Sequence, residues 1–219
     1  MITVDLLKAV HAGSKEAALY APLLETARVV FKDDHNTITS INGIAMLVSQ
    51  LAHESGYFKG LSENLNYSVE ALSHHPRANY FTEKQAKTLG YQRDSFGMTV
   101  QVSDQQAIAN LYYGGRLGNR GILTDDGWLF RGAGLIQLTG RSNFTIFGGS
   151  IGMRAEEAAE YARTPEGAVV SAMWYWRNRG LLVPASRGDV SRCTEIVQGG
   201  SGGLASRIAL FQSAKTALE

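Results

Sequence analysis

The stretch Ile41-Asn-Gly-Ile-Ala-Met-Leu-Val-Ser-Gln-Leu-Ala-His-Glu54 is the clearest structural signal in the chain. Its apolar positions Ile41, Ile44, Ala45, Leu47, Val48, Leu51 and Ala52 follow the i, i+3, i+4, i+7 spacing of a helix with a buried face. Ser55-Gly56 behind it is a stop signal. Extending the stripe through Ile44, Leu47 and Leu51 lands on Glu54, in steps of three, four and three. A carboxyl group there loses water and meets the negative end of the helix dipole, and both effects favour the neutral acid. A carboxylic acid that keeps its proton near neutral pH is what a general acid requires. The competing reading is a frayed helix end with Glu54 in solvent.

Nine positions on lies Glu63, in Ser62-Glu63-Asn64-Leu65-Asn66-Tyr67. Its loop context predicts a wetter, ionised carboxylate, and two carboxylates in different environments suit an acid and a base. A cap for the helix near Ser68 is the structural alternative. His53-Glu54 invites a zinc reading, but H-E-x-x-H needs a histidine at position 57, which is Tyr57. His74-His75 are adjacent, not at ligand spacing, so neither metal nor cofactor is expected. His53 reads instead as an orienter beside the acid. Cys193 falls in a helical pattern and is expected to be packed; neither a G-x-S-x-G elbow nor a phosphate loop occurs.

Outward from this centre, helical signals dominate. Thr3 can cap a helix to about residue 12, and Ser14 one over about 15–32. Asp33-Asp34-His35-Asn36 is a polar break. Ser68 and Thr82 can start short helices, and Ser103-x-x-Gln106 matches a capping box. Seven glycines crowd residues 114–134. Leu135-Ile-Gln-Leu-Thr139 is the best strand candidate. Thr164-Pro165 opens a helix over about 166–179, and two more follow over 189–198 and 203–217. The expectation is a mainly α chain with one small β-element.

The 219 residues are 44% apolar, enough for a sizeable core in one domain or two lobes. Against 21 Lys and Arg stand 20 Asp and Glu, a net charge of +1, so no strong field exists to hold nucleic acid through its phosphates. A single cysteine rules out an intrachain disulfide framework. Asp5 and Lys8 interrupt the opening residues, where a signal peptide would need an apolar run of roughly 7–15. No stretch approaches the ~18 apolar residues of a membrane span. Synthesis in the cytoplasm, with no stable membrane insertion, is the expectation.

Ala52-His-Glu-Ser-Gly56, Glu63-Asn-Leu-Asn-Tyr-Ser68, Arg116-Leu-Gly-Asn119 and Phe130-Arg-Gly-Ala-Gly-Leu-Ile-Gln-Leu-Thr-Gly-Arg141 resemble the glycoside hydrolase family 19 chitinases, most closely their compact bacteriophage endolysin branch. The match is dense over about residues 50–145 and fainter at Glu195–Gly200 and Gly203–Arg207. The resemblance implies a lysozyme-like, two-lobed helical fold around a central cleft, in a single catalytic domain over residues 1–219 without a separate wall-binding module. It implies hydrolysis of β-1,4 bonds between amino sugars with inversion, needing no cofactor. Carried over by motif, Glu54 is the general acid, Glu63 the general base, and Thr139 the hydroxyl residue that helps hold the attacking water. Gln137 and Asn143 match sugar-contacting positions; Gln198 and Arg207 match residues of the C-terminal side of the cleft. His53 and Asn66 join them as substrate-binding candidates, and Tyr57, Tyr67 and Trp128 are candidate sugar platforms. Trp174 and Trp176 lie at helical spacing and read as core, as do Tyr112 and Tyr113. Two positions depart from the family pattern: Ala133 stands where arginine is usual, and Gln198 where asparagine is usual.

The resemblance favours a peptidoglycan-cutting endolysin, acting as a monomer on the bacterial wall after release by a holin-type partner. A true chitinase, a lytic transglycosylase with one essential Glu and 1,6-anhydro products, and a non-catalytic sugar-binding relative are the alternatives.

Overall fold

The computed structural model describes residues 1–30, 38–74 and 79–219. The polar break at Asp33–Asn36, the end of the second expected helix and His75 lie outside the described residues. In chain order the helices are α1 (Val4–Val10), α2 (Ala17–Val30), α3 (Ile41–Glu54), α4 (Val69–Ser73) and α5 (Glu83–Leu89). The strands β1 (Gln92–Arg93) and β2 (Thr99–Gln101) follow. Then come α6 (Gln105–Tyr113), α7 (Asp126–Leu129), α8 (Arg141–Ser150), α9 (Ala155–Tyr161) and α10 (Pro165–Asn178). The chain closes with α11 (Leu182–Arg187), α12 (Val190–Gln198) and α13 (Leu204–Thr216).

Side-chain caps set many of the starts. Thr3, Ser40, Ser68, Thr82 and Thr164 each accept a backbone N–H of the first turn they precede, satisfying a donor the helix cannot. Two expected caps move. The Ser14 hydroxyl bonds the Glu16 carboxylate (3.3 Å), and α2 begins at Ala17. Asp104, not Ser103, caps α6 by accepting from Ala107 N (2.9 Å), which starts the helix one residue later, while the Ser103 hydroxyl donates to Asn66 Oδ1 (2.6 Å). Gln106 instead donates to Asp125.

The expected strand at 135–139 is not one. Residues 134–137 form a turn, closed by Gln137 N donating to the Gly134 carbonyl (3.1 Å), with Gln137 itself at φ 52°. Left-handed backbone breaks the alternation that a strand needs. The β-element lies earlier: β1 and β2 pair antiparallel, Gln92 opposite Gln101 and Arg93 opposite Thr99.

The chain divides into two compact units. The first holds residues 1–61, 133–137 and 160–219. At its centre is α3, buried at every position from Gly43 to Ala52, with α1, α11, α12 and α13 packed against it. It is a core helix on all sides rather than an amphipathic one. The second unit holds residues 62–132 and 138–159. Leu65, Leu72, Phe81, Ala86, Ile108 and Ala109 form a core cluster there, with Tyr67 and Trp128 packed against it.

In the second unit Gly140 is where two of the sequence motifs meet. It sits at φ 91°, and a Cβ there would lie 2.4 Å from the Leu117 Cβ and 2.8 Å from its carbonyl oxygen. Segments 116–119 and 139–142 therefore touch backbone to backbone, with Ser142 N donating to Leu117 O (3.1 Å) and Arg141 N to Asn119 Oδ1 (2.8 Å). Among the described residues, no helix is long and apolar enough to cross a membrane.

Candidate active site

Glu54 is the last residue of α3, where the sequence stripe puts it, and its side chain is 19% exposed. Its neighbour is not an apolar wall. The guanidinium of Arg207, from α13 and itself 1% exposed, forms an ion pair with the Glu54 carboxylate. The same guanidinium donates to Gln50 Oε1, one turn earlier on α3, and reaches Gln198 Oε1 at 3.5 Å. An arginine fork can hold several acceptors in one plane, and here it fixes Glu54, Gln50 and Gln198 from a single buried centre. His53 lies beside it. Burial first, and then the Arg207 charge, hold its imidazole below the usual histidine range, with Glu54 pulling the other way.

His53, Glu54, Gln198, Gly202, Gly203 and Arg207 line one polar recess of about 320 Å³. Glycine suits position 203 in it. The residue sits at φ 70°, and a Cβ would come within 2.5 Å of His53 Nε2. Within the first unit the structure thus gathers four of the expected site residues, His53, Glu54, Gln198 and Arg207. Two others in this unit have internal partners. The Tyr57 ring stacks on His11 at 4.3 Å, and Gln137 Nε2 donates to the carbonyls of Gly60 (3.2 Å) and Gly134 (2.9 Å). Ala133, where the family usually has arginine, is fully buried.

In the second unit Glu63 is half-buried, and its partners are neutral. The Tyr113 hydroxyl lies 2.8 Å from Glu63 Oε1 and 2.9 Å from Oε2. Gly132 N donates to Oε2 (3.1 Å), while Glu63 N donates back to the Gly132 carbonyl (2.8 Å). Glu63 is therefore tied to Gly132 through both its carboxylate and its main-chain amide. Burial, and behind it the Glu63 charge, push the Tyr113 phenol well above its usual value, so this hydroxyl keeps its proton and donates. The other expected residues of this unit lie in varied settings. Thr139 is half-buried, and its carbonyl accepts from Asn143 Nδ2 (2.8 Å). The exposed Asn66 accepts from the Ser103 hydroxyl (2.6 Å) and borders a cavity of about 280 Å³ with Tyr91, Arg93, Thr99 and Val102. Tyr67 packs on the unit's core. Trp128 lies in the short helix α7 rather than in open loop, and the Arg131 guanidinium stands 3.5 Å over its ring.

Two residues of these clusters are missed by the sequence reading. Tyr113 reads there as core, yet its oxygen serves Glu63. Gln50 passes as part of an apolar run, although a long amide four positions before Glu54 on a buried helix is a visible anomaly. Trp174 and Trp176 are core as expected, 8% and 0% exposed. Cys193 is packed as expected, and burial, with a smaller contribution from Asp189, pushes its thiol up to about 12. Among the described residues no three His, Cys, Asp or Glu side chains gather as a metal-ligand set.

No protein-family model matches the chain. Solved structures that share its fold include chitinase C from Streptomyces griseus HUT6037, with TM-score 0.58 and 14% identity, and a glutamate-to-glutamine mutant of chitinase C, with TM-score 0.57 and 14% identity. Each likeness covers 99% of this chain and 92% of the other. The mainly helical architecture is that of the family 19 chitinases. A glycosyl hydrolase family 19 domain-containing protein of Haemophilus influenzae is 36% identical over 169 residues, 77% of this chain and 76% of the relative. With identity of that level over that span, this chain belongs to glycosyl hydrolase family 19.

Proposed function

We propose that the protein hydrolyses β-1,4 bonds between amino sugars of bacterial peptidoglycan, with inversion, using Glu54 as general acid and Glu63 as general base. The reading is carried by membership of glycosyl hydrolase family 19, together with the positions of the family's acid and base matched in Ala52–Gly56 and Glu63–Ser68. Glu54 is anchored by a buried guanidinium. Among the described residues, the donors that hold Glu63 are neutral, the Tyr113 hydroxyl and the Gly132 amide. The ion pair at Glu54 is not the apolar shelter expected of it, so the settings of the two carboxyls do not by themselves assign acid and base, which follow from the motifs.

In the proposed step Glu63 takes a proton from a water molecule, whose oxygen attacks the anomeric carbon. The glycosidic bond breaks as its electron pair moves to the leaving oxygen, which receives the Glu54 proton. One water is consumed and both carboxyls return to their starting states in a later proton exchange. The Thr139 hydroxyl is assigned to the water. His53, Tyr57, Asn66, Tyr67, Trp128, Gln137, Asn143, Gln198 and Arg207 are assigned to the glycan or to the groups that meet it. Assignment to peptidoglycan rests on the motif resemblance at Glu63–Ser68 and Phe130–Arg141. The same proposal has the protein made in the host cytoplasm, released by a holin-type partner and active on the wall as a monomer.

A chitin substrate is the second reading, favoured by the name of the solved neighbours. Outer-membrane-permeabilised Gram-negative cells and soluble chitin separate the two. Turbidity of the cells is expected to fall, with slower release of reducing ends from chitin. Constant turbidity with brisk release from chitin contradicts the peptidoglycan assignment.

A further inference from the structure

Tyr113 ends α6, and its position is set by both chain and ring. Its carbonyl accepts from Arg116 N (3.1 Å) and from Asn119 Nδ2 (3.1 Å). Asn119 in turn accepts from Arg141 N (2.8 Å). The Tyr112 ring meets the Tyr113 ring edge to face, centroids 4.9 Å apart and planes at 72°. So the Arg116–Asn119 motif braces the residue whose hydroxyl spans both oxygens of Glu63, at 2.8 and 2.9 Å. One O–H shared between two carboxylate oxygens fixes the plane of the carboxylate as well as its place. Gly132 N adds a donor on Oε2 (3.1 Å). A carboxylate offers roughly four lone-pair sites, so acceptor capacity is left for a water.

We infer that Tyr113 is the positioning residue of Glu63: its hydroxyl, with the Gly132 amide, aims the carboxylate at the water it is to deprotonate. This rests on the general-base reading of Glu63. A donor to a carboxylate stabilises the charged form, so removing the hydroxyl makes the carboxylate easier to protonate. Activity that needs ionised Glu63 is lost as pH falls through the range where Glu63 takes up a proton. Without the Tyr113 hydroxyl that loss sets in at higher pH.

The test compares wild type, Tyr113→Phe and Glu63→Gln on purified peptidoglycan, with kcat and KM followed from acid to neutral pH. The Glu63 carboxyl is titrated in parallel by carbon-13 NMR. Tyr113→Phe keeps the ring and is expected to fold, to lose roughly tenfold to a hundredfold in kcat with little change in KM, and to move the acid limb to higher pH. The Glu63 carboxyl signal should titrate upward with it. 3-Fluorotyrosine incorporated at position 113, a stronger donor on the same ring, is expected to move limb and signal the other way, and serves if the phenylalanine variant fails to fold. An unchanged acid limb and an unchanged Glu63 titration overturn the proposal while Glu63→Gln is inactive. Full activity of Glu63→Gln instead overturns the general-base reading, and this inference with it.

Discussion

Arg207 is the residue on which the Glu54 cluster turns. It is 1% exposed and carries the charge that Glu54 faces, so replacing it leaves a carboxylate at a helix C-terminus without its partner. Arg207→Met is expected to lower stability by about 3 kcal/mol, the low end for a broken buried pair because Glu54 is 19% exposed. Urea unfolding with an unchanged m-value checks it, and a stability equal to wild type would show the pair to be dispensable. His53 gives a pH dependence. Its folded-state value is depressed, chiefly by burial, so the unfolded chain binds the proton more readily. Stability is then fully present above about pH 6.5, the value for an unfolded histidine, and falls as pH drops below it. His53→Gln should flatten that part of the profile in thermal melts, and an unaltered slope would assign the loss to other groups.

At the scale of elements, Asp126 joins the start of α7 to α8. It is 1% exposed and takes a 2.7 Å contact from Arg120 and two of 2.8 Å from Arg141. Arg141 also reaches Glu156 on α9 (2.8 Å). Hydrogen bonds from Arg141, opposed by burial and joined by Arg120, hold the Asp126 carboxyl far below the usual carboxylate range. The sign is the opposite of an acid-stable group: its contribution is present above about pH 4 and is lost on acidification toward its folded value. Asp126→Asn keeps the shape but not the charge and is expected to cost about 2 kcal/mol at neutral pH. Chemical denaturation at neutral and acid pH measures both the cost and its disappearance.

The elements also show what a sequence carries openly. A cap is a short-range event between a side chain and an amide a few residues away, so Thr3, Ser68, Thr82 and Thr164 can be read from the local sequence, while Ser40 is missed there. Glu54 is likewise legible, because helical spacing fixes its place at the end of α3. Residues 135–139 mislead for the converse reason. Leu135 and Leu138 are buried, but within a turn whose Gln137 adopts positive φ, and burial without alternation mimics a strand in a short window. Arg207 lies 153 residues from Glu54 in the chain and Tyr113 lies 50 from Glu63. No local pattern reports such pairings; for Arg207 the motif resemblance supplied the candidate, and for Tyr113 nothing did.

For the molecule as a whole, each compact unit supplies one carboxylate, Glu54 in the first and Glu63 in the second. If both serve one reaction, neither unit is sufficient. Glu54→Gln is expected to lose activity by several orders of magnitude while its circular dichroism stays that of wild type; an unfolded variant would assign Glu54 a structural role. The family relationship leaves the attacking group to be tested, because a water and an internal sugar hydroxyl give different products. Mass spectrometry of the fragments released from purified peptidoglycan reads this directly. Hydrolysis by the proposed pair predicts reducing ends that have each gained one water. Fragments ending in 1,6-anhydro sugars, formed by the wild type and still formed by Glu63→Gln, would contradict it.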